Sequence, residues 1–135
     1  MESVTRLFLI LAVLVAFQAC LAAQTISPAC TPVQEQLKAA ESAAARNDWG
    51  GAALRYQDAI GIAPACVEAI VNLGVTFNRL NQPDEAIKVF QRALTKNPQL
   101  FAAHLNLGIT YFRTARFDLA KDSLRNALKV NPDHL

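Results

Sequence analysis

A chain of 135 residues carries 13 Lys+Arg against 11 Asp+Glu, a formal charge of +2. That charge is too mild, and its basic residues too scattered along the chain, to mark a nucleic-acid or anionic-membrane binder. The length allows one domain once an N-terminal targeting segment is set aside.

That segment comes first in chain order. Arg6 gives a weakly basic start, and Leu7–Phe17 is an unbroken apolar run, of the length of a signal-peptide core. Ala19-Cys20-Leu21-Ala22-Ala23 supplies small residues for cleavage, and a cut after Ala22 places Cys20 and Ala22 at the two small positions. Residues 1–22 are therefore predicted to be a signal-peptide helix, and the mature chain to be exported, to a periplasm or the outside. Two alternatives stay open. Leu7–Ala23 is at the lower edge of what spans a bilayer, as an uncleaved anchor. Phe17-Gln18-Ala19-Cys20 looks like a degenerate lipobox, which would lipidate Cys20 and tether the protein to a membrane.

Residues 23–31 read as a linker, with Pro28 and small or polar neighbours. Thr31-Pro32-Val33-Gln34 is predicted to open a helix, with Thr31 as cap, Pro32 at the first helical position and Gln34 completing a capping box. Cys30 precedes the first helix of the first predicted helix pair and Cys66 follows its second. An antiparallel pair brings those ends together, and an exported compartment would let the thiols oxidise. Two small buried thiols near helix ends are the other reading. No histidine lies near either cysteine in sequence, so no metal signature arises.

From Val67 onward the chain repeats itself with a period of about 34 residues. Asn72-Leu73-Gly74 recurs as Asn106-Leu107-Gly108, Phe77 as Tyr111, Ala86 as Ala120, Ala93-Leu94 as Ala127-Leu128, and Asn97-Pro98 as Asn131-Pro132. Thr76/Thr110, Arg79/Arg113 and Asp84/Asp118 match as well. The register places repeats at 33–66, 67–100 and 101–134. Ile70, Leu73, Gly74 and Phe77 make one face of a first helix, and Ala86, Phe90 and Ala93 one face of a second. Gly74, Ala86 and Ala93 are small where the two helices should touch. Pro98 ends the pattern, because the residue before proline avoids helical geometry. The first repeat is degenerate: Ala39, Ala40 and Ala43 stand for the Leu, Gly and aromatic of its first helix. Gly50-Gly51 predicts a loose first turn in its second helix.

The Leu-Gly pair, the aromatic three residues on, the small residues of the second helix and the closing proline resemble the tetratricopeptide repeat, over most of the chain. The resemblance implies an all-α solenoid of three antiparallel helix pairs, in a right-handed superhelix whose first helices line a concave groove. The helical period then puts Leu37, Lys38, Glu41 and Ala44 of the first repeat toward the groove. The second adds Glu68, Val71, Asn72, Val75, Asn78 and Arg79, and the third Ala102, Leu105, Asn106, Ile109, Phe112 and Arg113. An extended peptide would suit this apolar strip edged by Asn and Arg.

The function expected is therefore that of a non-enzymatic scaffold holding a protein or peptide partner, with no cofactor and no metal. His104 falls on an inward helix face, and no Ser or Cys is placed with His and a carboxylate. No glycine-rich phosphate loop occurs. The alternative is a structural subunit that self-associates, or pairs with another repeat protein, through its last helix. There Leu119, Leu124, Leu128 and Val130 are expected to leave apolar surface open.

Overall fold

The computed structural model describes residues 27–134. The predicted signal peptide, its anchor alternative and Cys20 lie outside these residues. The described chain forms six α-helices: α1 (Gln34–Ala45), α2 (Trp49–Ile62), α3 (Val67–Arg79), α4 (Pro83–Lys96), α5 (Phe101–Arg113) and α6 (Phe117–Val130). Short 3-10 turns precede and follow them at Pro28–Val33 and Pro132–His134. No strand occurs among the described residues, and none of their helices is long and apolar enough to cross a membrane. Each helix packs chiefly on its neighbours in sequence, which makes an all-α solenoid of three antiparallel pairs.

The two kinds of turn recur in register. Within each pair the chain reverses through a left-handed residue, Asn47, Asn81 or Ala115, at φ of 59°, 57° and 58°. The next amide, of Asp48, Gln82 or Arg116, donates to the carbonyl of Ala43, Phe77 or Tyr111 at 2.9 Å, which closes the helix end in a Schellman motif. After each pair the chain extends: Ala63, Asn97 and Asn131 have ψ of 79°, 95° and 91°, each before a proline that disfavours helix there.

Packing within a pair follows from the glycines. A Cβ on Gly74 would stand 2.5 Å from the Phe90 ring, and one on Gly108 would stand 2.7 Å from Leu124. Only glycine lets the axes come that close. Phe90 and Ile70 are fully buried, and the continuous core runs from Cys30 and Val33 through Leu37, Tyr56, Ile70, Leu73 and Phe90 to Leu107 and Tyr111.

Two local expectations are corrected at the N-terminal end. The first helix begins at Gln34, not Pro32, and no side-chain capping box forms. Residues 28–31, expected within a linker, are wound as 3-10 helix. Three residues per turn put Cys30 and Val33 on one face, and both are fully buried. A disulfide joins Cys30 to Cys66, with Cα atoms 4.7 Å apart, and holds that turn against the start of α3. Gly50-Gly51 also differs from expectation. The first turn of α2 is regular helix, capped by Asp48, whose Oδ1 accepts from the Gly51 amide at 2.9 Å. A Cβ on Gly51 would collide with that carboxylate.

Candidate functional site

Between α3 and α5, Val75, Asn78 and Arg79 face Asn106, Ile109 and Arg113 across one hollow of about 370 Å³. The two sets come from equivalent turns of successive repeats, so the site is built by the stacking and not by any single helix pair. Val75 is half-buried and Ile109 exposed. Together they make an apolar floor with polar groups at its rim.

Hydrogen bonds fix the two walls. Thr76 Oγ1 donates to the Asn72 carbonyl and Thr110 Oγ1 to the Asn106 carbonyl, both at 2.7 Å. Both threonines are buried, and bonding back to their own helix satisfies their hydroxyls. Asn78 Nδ2 donates across the stack to Thr110 Oγ1 at 2.7 Å, a bond that sets α3 against α5. Asn106 Nδ2 donates to the Ala102 carbonyl at 2.8 Å. The Arg79 guanidinium lies over the Trp49 ring, 5.5 Å from its centroid, which ties the end of α3 to the start of α2.

Tyr56 sits under the first turn of this surface. Burial pushes its phenol above the ordinary value, the negative charges of Glu41 and Glu68 add to the rise, and a hydrogen bond with Asn72 opposes it. Asn72 is half-buried and does not line the hollow.

The structure separates the residues expected to share the groove. Arg79, Asn106, Ile109, Arg113, Val75 and Asn78 come together. Val71 and Leu37 do not face a groove: both are buried in the core. Val71 lies on α3, which packs against α2, α4, α5 and the 3-10 turn. The arc covered on such a central helix is wider than one apolar stripe. Phe112 is exposed and stacks edge-on against Phe117 with centroids 5.7 Å apart, in a separate apolar hollow with Ala120, Leu124 and Leu128. The register explains it, since Phe112 stands where Asn78 stands, and Asn78 points toward the following repeat. Leu105 and Ala102 are half-buried outside the hollow. Lys38, Glu41 and Glu68 are exposed and Ala44 is half-buried, and none of these lines it.

Sequence reasoning did not assign Thr76, Thr110 or Trp49 a part in the site. The identity of Thr76 and Thr110 between repeats was the available signal. His104 Nε2 lies 2.8 Å from the Pro98 carbonyl, a local packing contact at the turn into α5. Among the described residues no three metal-ligating side chains converge.

The sequence matches tetratricopeptide-repeat profiles over residues 37–101 and 78–135. Among solved structures it is similar to the Sgt2 TPR domain from Aspergillus fumigatus, at 21% identity with a TM-score of 0.72, covering 76% of this chain and 68% of that one. It is similar to the Arabidopsis OM64 TPR domain at 20% identity with a TM-score of 0.72, covering 78% of this chain and 88% of that one. It is also similar to MamA, at 22% identity with a TM-score of 0.69, covering 76% of this chain and 56% of that one. No curated protein matches the chain.

Proposed function

The chain belongs to the tetratricopeptide repeat family, whose members are commonly non-enzymatic protein-interaction scaffolds, and from that premise we propose that the hollow between α3 and α5 holds an extended segment of a partner protein. The observation that carries this is the convergence of Val75, Asn78, Arg79, Asn106, Ile109 and Arg113 on one concave surface. Val75 and Ile109 take an apolar side chain of the segment. Asn78, Arg79, Arg113 and the free oxygen of Asn106 meet its polar groups. Replacing Val75→Glu together with Ile109→Glu should abolish capture of cross-linked partners from the native compartment, while circular dichroism shows the helices intact. Unchanged capture by a folded double variant would overturn the groove.

A second reading is favoured by a different observation. In the second repeat, α5 packs on α4, and Leu94 of α4 is partly buried against the core. The equivalent position of α6, Leu128, is exposed, and so are Phe117 of α6 and Phe112 of α5, which share one apolar hollow with it. That face suits self-association or pairing with another repeat protein. Sedimentation should then show a dimer that Leu128→Asp disperses, and a monomer for the unsubstituted protein at micromolar concentration would exclude self-association.

Export is part of the same proposal, with a membrane tether through the N-terminal segment as its alternative. The apolar run Leu7–Phe17 and the buried Cys30–Cys66 bridge support it, because such bridges persist in oxidising compartments. N-terminal sequencing of the native protein should begin at Ala23. A start at Met1 would mean a retained segment.

A further inference from the structure

Resting on the groove reading above, we propose the chemical class of the segment it holds: an internal acidic residue, Asp or Glu, with an apolar residue two positions away. Arg79 and Arg113 end α3 and α5 at the same register position, and both line the hollow. Arg46 caps α1 at the same edge of the stack. No ion pair of the described residues engages Arg46, Arg79 or Arg113. Two carboxylates nearest that edge are already used: Asp48 holds the Gly51 amide, and Asp84 pairs with Arg116 at 2.7 Å.

A cation near a helix C-terminus is favourable in any solenoid. That accounts for arginine at these positions, but not for two arginines lining one hollow with an apolar floor. The Arg79 guanidinium carbon lies over the Trp49 ring, 5.5 Å from its centroid. That contact is made to the ring face, and the guanidinium N–H donors are left for a carboxylate. Side chains two apart in an extended segment point the same way. One carboxylate between Arg79 and Arg113 would thus bring its apolar neighbour onto Val75 and Ile109.

The test is selection from a degenerate library of end-blocked octapeptides by the purified, disulfide-intact protein. Retained peptides should be enriched in Asp or Glu two positions from Val, Ile, Leu or Phe. Arg79→Gln with Arg113→Gln should weaken a selected acidic peptide about fivefold, the scale of an exposed ion pair, and leave its Asn or Gln counterpart unchanged. Raising the salt should weaken the acidic peptide alone. Retention without acidic enrichment, or acidic enrichment that survives the double Arg variant, overturns the proposal. So does retention confined to a parallel library with free C-terminal carboxylates. The Val75→Glu, Ile109→Glu variant separates the two levels. Retention that depends on Val75 and Ile109 but ignores charge sinks only the acidic assignment. Retention that ignores both residues sinks the groove as well.

Discussion

The first and last helices of the solenoid occupy equivalent ends and are finished in opposite ways. Positions that hold buried Ala69, Leu73 and Thr76 in α3, and buried Ala103, Leu107 and Thr110 in α5, hold exposed Glu35, Ala39 and Ser42 in α1. That outer side is small and polar, and a disulfide fixes the 3-10 turn beside it. At the far end, the positions of half-buried Asn78, Pro83 and Leu94 in the second repeat hold exposed Phe112, Phe117 and Leu128 in the third. Among the described residues the outer side of α1 offers no large apolar side chain to match that face in head-to-tail stacking. A partner of α6 must bring its own apolar side. On the proposal that this face is a contact, closed pairing or a different protein suits it better than an open filament.

The contrast predicts unequal costs for the same kind of truncation. Phe90→Ala, in a fully buried site between α3, α4 and α5, should cost about 4 kcal/mol. Leu124→Ala, the matching position beside the open hollow, should cost about 1 kcal/mol, because half-exposed methyls lose less transfer energy. Urea unfolding of both variants measures this, and equal losses would mean that α6 is covered in solution. Cys30→Ala with Cys66→Ala should destabilise by about 3 kcal/mol, seen as a lower Tm that dithiothreitol no longer shifts. Ala115→Gly should stabilise by about 1 kcal/mol, since Ala115 alone of the three left-handed turn residues has no polar side chain to ease that geometry.

The smallest effect is expected from pH. The Tyr56 phenol is raised in the fold, so the native state holds its proton more tightly than the unfolded chain does. Its contribution is fully present below the ordinary value of 10.0, and stability should fall as pH rises above it toward the folded value. Tyr56→Phe should flatten that alkaline decline. A slope unchanged in Tyr56→Phe would place the titration elsewhere.

Most of the scaffold was legible because the stacking repeats its own constraints. Gly74 and Gly108 announce two close helix approaches, and Pro98 and Pro132 the end of the second and third pairs. The third inner turn was legible only through the register, since Ala115 carries no turn signature of its own. The start of the chain was misread because Thr31-Pro32 has the form of a helix cap, while the bond from Cys30 and the burial of Val33 impose a tighter winding. Six of the residues that the resemblance and the helical period together turned toward a groove came to line one hollow. Val71 did not, because how many neighbours surround a helix is a property of the assembly. Nor did Phe112, whose direction depends on whether another layer follows.

The Cys30–Cys66 bridge gives the solenoid a direction of failure. A linear stack held by nearest neighbours normally peels from either end. Here α1 and α2 form a covalently closed loop whose base is tied to α3, so fraying from the N-terminal side cannot free a helix pair. Unzipping is therefore easiest from α6, and amide exchange should be faster in α6 than in the central α3 and α4.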